Sequence, residues 1–274
     1  MSETEPPDRY THGHHASVVA QHKRRTADAD AAYLLPHLRP GMRVLDVGCG
    51  PGTITQGLAA AVAPGGEAVG MDAVPEIVDE AAKHAAPGGA ARLRFQTGDV
   101  YALPFEAGSF DVVHAHQLLQ HLTRPVEALR EMRRVAKRGG LIAVRDADYG
   151  SMIPWPSTPA LEKFFNVYMA VAARNGAEAR AGRFLRAWCL EAGLPDLEFS
   201  GTAVVMTEPD EVRNWGYSWA ERTVHSNVGR HALEYGIASR AELAEIAAAW
   251  RSWADEPAAF FTFTHVEVLA SVRA

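Results

Sequence analysis

Cysteine is scarce in this sequence. There are two, Cys49 and Cys189, and neither belongs to a CxxC pair. That argues against a disulfide scaffold or a zinc ribbon and fits a reducing compartment. Long apolar runs are missing too, with no stretch near the roughly 20 residues that span a bilayer. Residues 1–9 are polar and acidic without an apolar centre, which predicts that they are no secretory signal. A basic stripe is also lacking: the longest cationic run is Lys23-Arg24-Arg25, and the formal net charge is -6. Enzymes of nucleic acid usually carry such a stripe to neutralise phosphates. No internal repeat or low-complexity tract occurs. Together these absences predict a cytoplasmic protein, a monomer or homodimer, with no membrane or nucleic-acid partner and a small-molecule substrate.

What is present is an ordinary globular composition, 47% hydrophobic and 22% charged over 274 residues. That length suits an α/β core carrying an insertion. Residues 17–38 suit one or two helices, and Pro40-Gly41 punctuates the chain before a short apolar run at 43–47. Strand and helix then alternate. Strands are expected at 43–47, 67–71, 93–97, 110–115 and 141–145, with helices at 53–62, 75–84 and 125–137. Such alternation predicts a doubly wound, mostly parallel sheet. Residues 151–159, rich in Pro and Ser, read as a loop. Helices are expected at 160–174 and 182–192 and over most of 208–253. Segments 196–206 and 260–272 have strand character and could pair antiparallel at the sheet edge. The expected fold is therefore α/β, Rossmann-like, with seven strands and helices inserted after strand five and between strands six and seven. Three regions follow: 1–40, an N-terminal tail and helices; 41–150, the sheet core; 151–274, a helical lid plus the last two strands.

The turn Asp46-Val47-Gly48-Cys49-Gly50-Pro51-Gly52 follows the first strand. Glycines at alternate positions let a backbone approach a ligand, and the next helix aims its free N–H groups at it. The spacing is GxGxG, unlike the GxGxxG of nicotinamide and flavin binders. Asp46 would repel a pyrophosphate, so a cofactor with a cationic amino group suits the turn better. Asp72 ends the second strand, where a carboxylate can accept from both ribose hydroxyls; a helix N-cap before Pro75 is the alternative. Asp99 follows the third strand and could accept from an adenine amine or close an Asx-turn.

At this point a resemblance is clear. VLDVGCGPGTIT (44–55), AVGMDAVPEIVDEA (68–81), FQTGDVYALPFEAGSFDVV (95–113) and LLQHLTRPVEALREMRRVAKRGG (118–140) resemble the class I S-adenosylmethionine-dependent methyltransferases. They resemble in particular the small-molecule group that includes the ubiquinone/menaquinone C-methyltransferases. Arg138 departs from the proline usual before the paired glycines. The resemblance implies S-adenosylmethionine as cofactor, with Asp46, Gly48 and Gly50 at its methionine end. It also implies Asp72 and Ala73 at the ribose, Asp99 and Val100 at the adenine, and His116 and Gln117 on the methyl-transfer side. Tyr10, His14 and His15 precede the first helix, in a segment that often closes over the cofactor.

Methyl transfer needs alignment and dryness more than acid–base help, because the electrophile is already activated. A base is required only for a poorly acidic acceptor, and His116 is the best-placed candidate. His12-Gly13-His14-His15 lacks helical spacing and an acidic partner, so no metal is expected. Trp155, Tyr168, Trp215 and Trp219 could form an apolar substrate lid or simply a core. The expected activity is methylation of a small organic molecule, oxygen ahead of carbon or nitrogen. The alternative is a rearrangement or cyclisation that uses the sulfonium without transferring its methyl group.

Overall fold

The structure is a computed structural model that describes residues 8–13, 16–84 and 91–273. Five parallel strands make its centre: β1 (Arg43–Val47), β2 (Glu67–Asp72), β3 (Arg92–Thr97), β4 (Phe110–His116) and the first half of β5 (Ala136–Trp155). β1, β2 and β4 are almost continuously buried, as expected of parallel strands covered on both faces. β6 (Asp196–Met206) and β7 (Phe260–Ser271) complete one seven-stranded sheet in the order β3-β2-β1-β4-β5-β7-β6. β7 runs antiparallel to both of its neighbours.

The order reverses between β1 and β4, so the carboxyl ends of these two strands open a crevice. Helices α3 (Thr53–Ala61), α4 (Pro75–His84) and α5 (Pro125–Val135) connect the parallel strands. Leu58 and Leu34 pack on one face with Val44 and Val112. Met132 and Leu129 pack on the other with Leu185 of α7 (Ala181–Glu191). A third core lies among α6 (Pro159–Arg174), α8 (Pro209–His225), α9 (Asn227–Glu234) and α10 (Arg240–Ala254). The 17–38 segment forms α1 (Ala16–His22), α2 (Ala27–Asp30) and a 3-10 turn, Leu35–His37.

One expectation fails. Residues 151–155, read as a loop, continue β5 and pair with β7 from Ile153↔Thr262 to Trp155↔Phe260. The strand alternates, with Met152 and Pro154 buried and Ile153 and Trp155 exposed. β4 ends at His116↔Arg145. Beyond that point β5 is paired on one side only, the situation in which a sheet tolerates proline.

Asp146 of β5 is fully buried; its Oδ1 accepts from the Gln120 amide (3.2 Å), while Oδ2 has no partner among the described residues. Burial pushes its carboxyl up to about 7. The native state therefore holds this proton after the unfolded chain has released it, and stability falls as pH climbs from the ordinary carboxylate range to about 7. Asp146→Asn should flatten that fall. Unfolding midpoints in urea at pH 5 and pH 8 would check it, and parallel pH dependences in the two proteins would contradict the assignment.

Candidate functional site

The glycine turn hangs on β2: the Gly48 and Cys49 amides both donate to the Met71 carbonyl (2.7 and 3.0 Å). Gly50 has φ +53°, and a Cβ built there meets no atom within 4 Å. At Gly52 a Cβ would come within 2.6 Å of the Phe95 ring, so close packing keeps that position bare. Asp72 braces the turn from the next strand, its Oδ2 accepting from the Gly50 amide (3.0 Å) and its Oδ1 from the Val74 amide (3.2 Å). Asp46 is turned inward. His114 Nδ1 donates to its Oδ1 (2.7 Å) and Thr55 Oγ1 to its Oδ2 (2.6 Å). Asp99 Oδ1 accepts from the Tyr101 amide (2.9 Å), closing an Asx-turn. Asp46, Gly48, Gly50, Asp72 and Asp99, with Ala73, Val100, His116 and Gln117, line a cleft of about 360 Å³ at the carboxyl ends of the strands.

A second cavity of about 800 Å³ lies beside it. Tyr10, His22, Arg25, Gln117 and His121 line both. Trp215, Tyr217, Tyr149 and Phe263 give the second cavity aromatic walls. Gln117 stands in the shared wall at φ +50°, the one non-glycine residue at positive φ among those described. Such strain persists only where the surroundings over-determine it. Its Oε1 accepts from Arg25 Nη2 (2.5 Å) and its Nε2 donates to His265 Nε2 (2.5 Å). The second bond requires a neutral His265 with its proton on Nδ1.

Burial sets the electrostatics of both cavities. It depresses the basicity of His12, His116 and His265 well below the usual imidazole range. His121 is pushed to about 3 by burial and by the Arg25 charge. Arg222 of α8, 4% exposed, lies over the Trp219 ring (5.0 Å) and donates to Gln21 Oε1. Burial lowers its guanidinium to about 10, still charged at neutral pH.

Residues 38–192 match the family described as a methyltransferase domain. An uncharacterized methyltransferase of Schizosaccharomyces pombe is 31% identical over 272 residues, 95% of each chain. This chain belongs to the methyltransferase-domain family. The methyltransferase is also 34% identical over 135 residues to the ubiquinone/menaquinone biosynthesis C-methyltransferase UbiE of Ectopseudomonas mendocina, 49% of this chain and 50% of that one. Among solved structures, the [4+2]-cyclase SpnF shares the fold at a TM-score of 0.50 and 22% identity, covering 94% of this chain and 81% of that one. S-adenosylmethionine is the methyltransferase's cofactor.

The cleft gathers every residue expected at the cofactor: Asp46, Gly48, Gly50, Asp72, Ala73, Asp99, Val100, His116 and Gln117. Expected lid residues scatter. Tyr10 lines both cavities and Trp215 the second, whereas His14 and His15 lie outside the described residues. Trp155 is 64% exposed and lines neither cavity; its carbonyl accepts from Trp253 Nε1 (3.0 Å). Tyr168 and Trp219 are core: the Tyr168 hydroxyl donates to His12 Nε2 (2.9 Å), and Trp219 packs on Phe164 and Trp215. The sequence alone did not single out Arg25, His22 or His265 for the site. Arg222 carried a signal, since Trp215, Trp219 and Arg222 recur at i, i+4 and i+7 on one helix face.

Proposed function

We propose that this methyltransferase methylates a small organic acceptor, at oxygen ahead of carbon or nitrogen, with the donor in the 360 Å³ cleft and the acceptor in the 800 Å³ cavity. The observation that carries the reading is the shared wall of Tyr10, His22, Arg25, Gln117 and His121, which joins the two cavities. In-line transfer needs such an arrangement, because aligned reactants can gain roughly 7–11 kcal/mol from effective molarity alone.

In this reading Gly48 and Gly50 keep the turn low under the methionine end, and Asp46 adds negative potential beneath the cofactor's ammonium. Asp72 and Ala73 hold the ribose; Asp99 and Val100 hold the adenine. Gln117 fixes Arg25 and His265 at the point where the cavities meet. When bound, S-adenosylmethionine supplies an electrophilic methyl carbon; as the acceptor's lone pair bonds to it, the carbon–sulfur pair returns to sulfur and leaves S-adenosylhomocysteine. The expectation that His116 serves as general base loses support. Burial and the Arg25 and Arg145 charges keep its imidazole neutral and weakly basic, and it lines the cofactor cleft, not the second cavity.

Incubation with S-adenosylmethionine and a panel of phenols, enols, carboxylates and amines should release S-adenosylhomocysteine with an acceptor heavier by one methylene unit. Absence of turnover across the panel counts against the proposal. A product of unchanged mass, with the cofactor intact, would replace methyl transfer by a cofactor-assisted rearrangement. Asp72→Ala should weaken S-adenosylhomocysteine binding by about 1.5–3 kcal/mol, the worth of hydrogen bonds to a charged acceptor. Asp72→Asn, which keeps the shape and one acceptor oxygen, should fall between. Calorimetry reads both, and an unchanged dissociation constant in Asp72→Ala removes Asp72 from the ribose site.

A further inference from the structure

The Arg25 guanidinium is the unusual group in the shared wall. It carries five N–H donors in a planar fork, and its one hydrogen bond among the described residues goes to Gln117 Oε1. No carboxylate of the described residues forms an ion pair with it. Asp30, the carboxylate whose charge acts on it, is committed elsewhere, to Arg145 (3.2 Å) and the Thr26 amide (3.0 Å). Arg25 is buried enough for desolvation to lower its own basicity. A half-buried cation whose neighbouring carboxylate, Asp30, is already bonded to Arg145 is matched best by a planar oxyanion bound to two donors.

The rest of the second cavity suits the body of such a ligand. Trp215, Tyr149 and Phe263 form flat apolar walls, and Arg222 brings a second buried cation to the same space. The imidazoles of His12, His121 and His265 in that lining are all weak bases. None of these three imidazoles is suited to removing a proton from an acceptor, and an acceptor that binds already ionised needs no base.

Building on the proposed function, we infer that the second cavity selects a planar, conjugated acceptor bearing an ionised oxygen, a phenolate, enolate or aromatic carboxylate, and that Arg25 holds that oxygen at the mouth of the cofactor cleft. Arg25 is thus the residue that determines acceptor charge. Its donors lower the energy of the anion, and Gln117, itself pinned to His265, sets the direction of the fork.

The test uses the full chain saturated with S-adenosylhomocysteine and an isosteric probe pair, 2-naphthoate and 2-naphthamide, titrated by calorimetry. The anion should bind tighter than the neutral amide by about tenfold or more. Arg25→Gln should bring the two affinities within about twofold, and Arg25→Lys should keep part of the preference, because the charge stays while the fork is lost. The ratio of the two affinities is insensitive to a general loosening of the cavity, which would weaken both probes together. Equal affinities in the unaltered protein overturn the inference, as does no binding of either probe, or a preference kept in full by folded Arg25→Gln. Should Arg25→Gln fail to fold, the ratio in the unaltered protein and in Arg25→Lys decides. Failure of S-adenosylhomocysteine itself to bind is a separate outcome and strikes the proposed function instead.

Discussion

Gly50→Val should abolish measurable binding of S-adenosylhomocysteine in a protein that still folds. Two effects act in the same direction. At φ +53° any L side chain pays a left-handed penalty of about 1–2 kcal/mol, more for a β-branched one. The new side chain also points where nothing in the protein stands within 4 Å, at a position that lines the cleft. In the proposed reading it meets the cofactor instead of the core. Gly50→Ala carries the strain with only one extra carbon and should bind detectably but weakly. Calorimetry gives the affinities and a thermal melt confirms folding; a folded Gly50→Val with an unaltered dissociation constant would show that the turn does not face the cofactor.

Trp219→Ala should cost about 3–5 kcal/mol of stability, the range for emptying a large aromatic site in a core. The ring is 1% exposed and packs edge-on against Phe164, Tyr168 and Trp215 and stacked on Trp250. It is also the platform under the Arg222 guanidinium. Denaturant unfolding measures the loss. A change confined to acceptor affinity, with stability preserved, would assign Trp219 to a substrate lid, the other role its sequence allowed.

The split of these aromatic residues between core and cavity shows what a sequence can and cannot carry. β1, β2 and β4 were legible because strands covered on both faces must be apolar throughout, and the glycine turn was legible because its ligand-facing and close-packed positions are adjacent in the chain. The acids at the ends of β1, β2 and after β3 follow from the same repeating unit, so one end of the site could be read locally. The other end could not. Arg25 comes from the link between α1 and α2, Gln117 from just beyond β4, Arg222 from α8 and His265 from β7, and only the finished fold brings them to one cavity. The extension of β5 was hidden for a different reason. Pro154 and Ser151 are loop residues by propensity, and only one-sided pairing with β7 makes a strand of them. Aromatic residues 155, 168, 215 and 219 looked alike in sequence, yet one is on the surface, two are in the core and one lines the cavity.

The place of β7 between β5 and β6 also governs how the molecule must assemble. Leu141 pairs with Ser271, and Asp148 with Thr264, so β5 stays an open edge until the chain has been made almost to residue 271. Until then Leu141–Val144, among the most apolar backbone of the sheet, presents unpaired amides and carbonyls of the kind that recruit other strands. Loops of more than a hundred residues must close before that edge is covered, and such non-local pairings form late and slowly. The cofactor-side strands β1 to β4 have no such wait, since each pairs with a neighbour no more than 70 residues away. The period of greatest aggregation risk during synthesis therefore falls between completion of β5 and arrival of β7, while the helices from α6 to α10 are being made.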